Sequence, residues 1–178
     1  MNPKVRKSLK IISNALVILV AVVAFLLHGF RLFGLQPYTV LSGSMESVYP
    51  TGSLIYVAKV DPAELKVKDI ITFRMAGGMI ATHRIVELVP DETNPDITRF
   101  RTKGDENDSV DGALVDFNSV VGKPLFGIPY LGYLATYITY PPGKYVAAAV
   151  AAALILIEII ISIILDDKDK KKPHSEQN

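Results

Sequence analysis

The run IISNALVILVAVVAFLL, Ile11 to Leu27, decides how the rest of the chain is read. It holds no charge, and with His28 to Leu35 it approaches the ~20 residues that cross a bilayer as a helix. Lys4, Arg6, Lys7 and Lys10 precede it. A secretory leader also begins with basic residues, but its apolar part is ~7 to 15 residues long and a small-x-small cleavage site follows. Here Arg31-Leu32-Phe33-Gly34-Leu35 follows, which fits that pattern poorly. Residues 11–33 are therefore expected to form an uncleaved transmembrane helix. The basic residues hold 1–10 in the cytoplasm and put residue 36 onward outside. His28, near the outer end, reads as interfacial.

A second span of similar character runs from Tyr145 to Leu165 (YVAAAVAAALILIEIIISIIL). It ends in Asp166-Asp167-Lys168-Asp169-Lys170-Lys171-Lys172, whose lysines place the 166–178 tail in the cytoplasm as well. Two spans with both ends inside leave the segment between them outside. Ala147/Ala151, Ala148/Ala152 and Ala149/Ala153 repeat small residues at a spacing that lets helices approach closely in lipid. Glu158 is costly in an apolar span and calls for shielding or protonation. With antiparallel spans, Asn14 is its expected hydrogen-bond partner.

Residues 36–140, about 105 in all, are enough for one small domain with its own core. Their texture is that of strands and turns. Tyr38-Thr39-Val40-Leu41 reads as a strand, Pro50-Thr51-Gly52 as a turn, and Leu54 to Ala58 as a strand. Asp61 to Leu65 suggests a turn or a short helical turn. Asp69 to Arg74, a Gly77-Gly78 hairpin turn and Met79 to Leu88 follow, then Arg99 to Thr102 and a late short strand at Val120-Val121 before Gly122-Lys123-Pro124. Leu125 to Tyr140, with Phe126, Tyr130, Tyr133, Tyr137 and Tyr140, reads as an interfacial segment or as packing beneath the domain. No amphipathic helix of three turns is evident. The expected fold is a mainly β domain flanked by two transmembrane α-helices.

Composition excludes several classes. The formal net charge of +1 offers no concentrated basic surface, so no nucleic-acid partner is expected. With no cysteine, disulfides, thiolate catalysis and sulfur-ligated metals are ruled out. No histidine and carboxylate cluster has metal-ligand spacing, so neither a metal nor a cofactor is expected. What remains is hydroxyl chemistry. Ser42-Gly43-Ser44-Met45 lies just beyond the first span, and His83 is the single histidine of the outer segment. A serine hydroxyl is a weak nucleophile until a base takes its proton and a third group orients that base. Several acids, from Asp105 to Asp111, could do the orienting.

Ser42-Gly43-Ser44-Met45-Glu46, Thr82-His83-Arg84-Ile85, Thr102-Lys103-Gly104-Asp105 with Asp111 beyond, and Val121-Gly122 resemble, in this order, the boxes of type I signal peptidase. The histidine in the second box is similar to the endoplasmic-reticulum-type branch, shared by archaea and some Gram-positive bacteria. The resemblance covers roughly residues 36–135. It implies a signal-peptidase-like β fold and a serine endopeptidase that removes signal peptides from secreted preproteins at the outer membrane surface. In that reading Ser44 is the nucleophile, His83 stands where the common bacterial branch has a lysine base, and Asp111 completes the site. Asp105 is supportive, and Ser42 joins the Ser44 backbone N–H in an oxyanion hole. Implied partners are secretory preproteins, the lipid bilayer and the nearby secretion channel. One departure is visible: Ser47 follows Glu46 where many relatives have proline, which leaves the local turn open.

At ~3.3 Å per residue, the stretch from Leu35 to Ser44 spans at most about 30 Å, which keeps the nucleophile near the membrane. A signal peptide is itself an apolar segment with a small-x-small site beyond it. It would bind extended, against strand edges near Val40-Leu41 and Met79-Ile80-Ala81. Gly43 would leave room for substrate and oxyanion. Two rivals stand beside this reading. Lys103 could be the base, although nearby carboxylates oppose loss of its proton. The chain could also be a catalytically inactive, membrane-tethered module that binds extended peptides.

Overall fold

Leu54 to Ala58 (LIYVA) is an unbroken apolar run, and it forms a strand whose first four residues are each no more than 3% exposed. In the computed structural model, which describes residues 3–91 and 97–170, this strand is β2 of a six-stranded antiparallel sheet. The others are β1 (Leu35–Thr39), β3 (Ile70–Arg74), β4 (Ile80–Pro90), β5 (Thr98–Lys103) and β6 (Val120–Ile128). Their order is β1-β2-β6-β3-β4-β5. The chain divides into two units, Leu27–Thr136, which contains the sheet, and Met1–Leu26 with Tyr137–Asn178.

β6 sits between the two halves of the sheet and is longer than the sequence suggested. The expectation of a short strand ending before Gly122-Lys123-Pro124 is corrected, because the strand continues to Ile128. Proline normally ends a central strand, since it cannot donate to the ladder. Here Val120 and Gly122 pair with β3, whereas Lys123 onward pairs with β2, and the β2 register slips opposite Leu125. Pro124 therefore sits beside an irregularity that tolerates it. Gly122 is required by proximity, because a Cβ there would lie 2.0 Å from the Ala58 carbonyl oxygen. Phe126 is a packing residue: its ring stacks on Tyr56 at 4.7 Å and meets Phe30 at 5.5 Å.

β1 runs from Leu35 to Thr39, shifted toward the N-terminus from the expected Tyr38 to Leu41. Pro37 is tolerated there because β1 is an edge strand. The Gly77-Gly78 turn between β3 and β4 holds both glycines at φ 84°, a conformation that side chains disfavour. On β4 a slip at Val86 lets Ile85 oppose Thr102 and Leu88 oppose Phe100. Ile85, Thr102 and Phe100 are fully buried. With Leu65, Ile71, Phe73 and Val115 the apolar members of this group form one core cluster. Truncating Phe100 to alanine would cost about 3–5 kcal/mol.

The Leu131–Thr139 segment, read from sequence as interfacial or as packing beneath the domain, is a nine-residue helix, α2. Its start packs closely, since a Cβ on Gly132 would lie 2.5 Å from the Ser53 carbonyl.

Among the described residues two helices are long and apolar enough to cross a membrane, and the candidate spans are Val5–Phe33 and Gly143–Ile163. They belong to α1 (Pro3–His28), which a short 3-10 turn continues to Phe33, and to α3 (Gly143–Lys170). The expected tail lies partly outside the described residues, which stop at Lys170. Glu158 accepts a hydrogen bond from Ser13, not from Asn14 as the sequence suggested. Neighbouring helix positions are ~100° apart, so only one of the two can face the partner, and Ser13 is half-buried where Asn14 is exposed. On α3, as far as Ile163, the half-buried positions are Ala147, Ala151, Leu154, Glu158 and Ile161. Of the three alanine repeats, Ala147/Ala151 is the one on that face.

Candidate active site

Ser44 lies in a short 3-10 turn, Gly43–Met45, entered from Ser42 in extended backbone. Met45 anchors the turn, being 2% exposed. The departure at Ser47 does not open this region. The Met45 carbonyl accepts from the N–H groups of Val48 and Tyr49 at 3.0 and 2.7 Å, and the Glu46 carboxylate accepts from the N–H and hydroxyl of Thr51 at 2.9 and 2.7 Å. Those two bonds, the hydroxyl's first, draw the Glu46 carboxyl below the usual carboxylate range.

The acid-rich loop after β5 holds Ser44 from the other side. Glu106 N–H donates to the Ser44 carbonyl at 3.0 Å, and Asp105 N–H points at the Met45 sulfur at 3.3 Å. Gly104 permits this approach, because a Cβ there would stand 2.7 Å from the Ser44 carbonyl oxygen and 2.8 Å from Ser44 Cβ. Nothing in the motif Thr102-Lys103-Gly104-Asp105 marks Gly104 for this role in the sequence alone. A Cβ on Gly43 would meet nothing nearer than Glu46 Oε2 at 3.5 Å, an ordinary contact.

His83 and Arg84 are consecutive on β4, and side chains alternate across a strand, so the two leave it on opposite faces. His83 Nδ1 is 2.6 Å from Asp111 Oδ2, and His83 Nε2 is 3.1 Å from Ser44 Oγ. With the Nδ1 proton donated to the carboxylate, Nε2 is the acceptor that faces the serine hydroxyl. Asp111 is itself positioned twice: its N–H donates to the Thr102 carbonyl at 2.8 Å, and the Thr102 hydroxyl donates to its Oδ2 at 2.6 Å. The His83 and Asp111 side chains are 14% and 24% exposed, which shields the pair while leaving an approach from solvent. Phe73 meets the imidazole edge-on at 6.1 Å.

Arg84 takes the other acid. Its Nε and Nη2 donate to the two oxygens of Asp105 at 2.8 and 2.6 Å, and Nη1 donates to the Lys68 carbonyl at 2.9 Å. The hydrogen bonds from Arg84 hold the Asp105 carboxyl below the usual carboxylate range, against the opposing pull of burial. Asp105 is thus an ion-pair partner, and Asp111 is the acid at the imidazole.

Ser42 Oγ is 3.4 Å from Ser44 Oγ. Among the described residues, the hydrogen-bond partners of Ser44 Oγ are His83 and Ser42, and Lys103 is not one of them. Also among the described residues, no group of three or more His, Asp or Glu side chains is arranged to hold a metal ion.

The model of the signal peptidase family, peptidase S26, matches residues 11–96, a range that includes Ser44 and His83 and stops short of Asp111. Signal peptidase I W of Bacillus subtilis (strain 168) is 39% identical, the match covering 63% of this chain and 64% of that protein. The signal peptidase complex catalytic subunit SEC11C of Rattus norvegicus is 32% identical, with 62% of each chain covered. The putative signal peptidase complex catalytic subunit SEC11B of Homo sapiens is 30% identical, over 62% of this chain and 70% of its own. The chain thus spans a little under two thirds of the first two relatives, 64% and 62% of their lengths. By these likenesses it belongs to the type I signal peptidases, peptidase S26, of the endoplasmic-reticulum-type branch.

Proposed function

We propose that this chain is a membrane-bound serine endopeptidase that removes N-terminal signal peptides from secreted preproteins. The observation that carries the reading is the imidazole of His83, engaged on both sides, 2.6 Å from Asp111 and 3.1 Å from Ser44 Oγ. Ser44 Oγ attacks the scissile carbonyl while His83 Nε2 takes the hydroxyl proton. The same proton passes to the leaving amine, and water then releases the acyl-enzyme by the reverse exchange. Asp111 holds the imidazole in the tautomer that leaves Nε2 free and stabilises the imidazolium. The tetrahedral oxyanion is received by the Ser44 N–H and the Ser42 hydroxyl, and losing one such donor typically costs ~100 to 1,000 fold. Asp105 supports the site through Arg84 and takes no proton.

The substrate lies extended along β4. β5 pairs with β4 only from Arg84 onward, so Ile80 to His83 pair with β3 alone and keep a free edge beside the imidazole. The two apolar helices anchor the enzyme with both termini in the cytoplasm and the β unit outside, close to the bilayer and to the secretion channel that delivers preproteins.

Incubating the full chain with a preprotein and mapping the cut by mass spectrometry tests this. Cleavage after a small-x-small sequence, lost in Ser44→Ala and kept in Lys103→Ala, is expected. An active Ser44→Ala protein, or a wild-type protein that binds the preprotein without cutting it, would overturn the proposal and favour a peptide-binding module.

A further inference from the structure

The turn that leads out of the first span forms a polar cleft of its own, apart from Ser44. Arg31, Gly34, Leu35, Gln36, Pro37 and Tyr38 enclose about 430 Å³ there. Gly34, at φ 78° and with its N–H donating to the Arg31 carbonyl, closes the 3-10 turn Gly29–Phe33 and turns the chain into β1, so Arg31 and Gln36 face one space. Tyr38 OH donates to Gln36 Oε1 at 2.7 Å. That bond occupies the amide oxygen and leaves the amide N–H₂ to donate elsewhere. Among the described residues Arg31 has no carboxylate partner. A guanidinium and an oriented amide in one cleft, with no acid beside them, select an anion. The planar fork of arginine suits a phosphate in particular.

We propose that this cleft binds the phosphate of a glycerophospholipid headgroup. Arg31 is in the last three residues of the candidate span Val5–Phe33, where the span meets the headgroup level. Leu32 and Phe33, next along the same turn, are 86% and 70% exposed. A soluble phosphate would leave those side chains in water, whereas a lipid sets its phosphate on Arg31 and Gln36 and its acyl chains beside Leu32 and Phe33. Nothing in this cleft depends on the chemistry at Ser44. Its consequence reaches that residue through the chain, since β1 ends at Thr39 and the serine turn begins at Gly43. A lipid held here fixes the root of that segment at the headgroup level.

The full-length chain in mild detergent, titrated with phosphatidylglycerol and followed by native mass spectrometry, tests the site. Wild type should retain the lipid about tenfold more tightly than Arg31→Gln, as expected for one charge-assisted contact to phosphate. Gln36→Leu should lose about threefold and Arg31→Lys an intermediate amount. Diacylglycerol, which lacks the phosphate, should bind all variants equally, and circular dichroism should show each variant folded. Equal retention by wild type, Arg31→Gln and Gln36→Leu would overturn the proposal. Displacement of the lipid by excess inorganic phosphate would overturn its lipid source in favour of a free-anion site.

Discussion

His83 and Arg84 are neighbours on β4, and each meets a different carboxylate of the same loop. On one face, His83 Nδ1 is 2.6 Å from Asp111 and the ring's other nitrogen faces a hydroxyl. On the other, Arg84 grips both oxygens of Asp105 and a backbone carbonyl. The two pairs have similar distances and partial exposure, yet they differ in kind. Imidazole can give up and take back a proton near neutral pH, whereas a guanidinium stays charged throughout. Similar geometry therefore suits proton transfer on one face and loop anchoring on the other. The side-chain alternation of a strand keeps the two roles apart.

The largest expected effect comes from removing the exchangeable partner. His83→Ala should lower preprotein turnover by roughly 10⁴ to 10⁶ fold, as loss of a triad base does, without altering thermal stability much. An active His83→Ala protein would dissolve the distinction between the two faces.

Asp111→Asn should cost on the order of 10³ to 10⁴ fold in kcat, because the amide can favour the wrong tautomer of His83. Single-turnover cleavage of a labelled preprotein measures it. If Asp105→Asn instead caused the larger loss of kcat, the assignment of the two acids would be reversed.

Gly104→Ala tests the seam between the faces. A Cβ 2.7 Å from the Ser44 carbonyl must push the serine turn away from His83, and a misplacement of about 1 Å costs ~100 fold. KM for the preprotein should change much less than kcat.

The smallest effect on turnover belongs to Asp105→Asn, which should show itself in stability. The folded Asp105 carboxyl titrates below its ordinary value, so its pair with Arg84 stabilises the fold at pH above the unfolded carboxyl's range. That contribution disappears as pH falls through the folded value. The variant should lose about 1–3 kcal/mol at neutral pH by urea unfolding, and the gap from wild type should close in acid. A gap that persisted unchanged at low pH would mean that the loss is one of packing, not of charge.

Much of this was legible before any coordinates. β2 runs over the expected Leu54 to Ala58 because apolar density and flanking turn residues define it locally, and the Gly77-Gly78 hairpin is equally local. Motif order points to Ser44, His83 and Asp111, and the structure brings their side chains together. What stayed hidden depends on partners distant in sequence. β6 looked too short because Gly122-Lys123-Pro124 is a stop signal unless the strand changes neighbours at that point. The partner of Asp105 is Arg84 on β4, and the need for Gly104 arises from a contact 60 residues away with Ser44. Choosing Ser13 over Asn14 required the rotational setting of α1, which composition does not carry.

β6 also sets an order of events. The strands flanking the serine turn, β1 and β2, meet those bearing the histidine, β3 to β5, only along β6 in the sheet, and β6 is the last strand made. A chain emerging N-terminus first carries Ser44 and His83 long before it carries the strand that joins their halves. Within the sheet, the half next to the serine turn and the half that carries His83 are therefore joined only once synthesis has passed Ile128 and the last strand has been inserted.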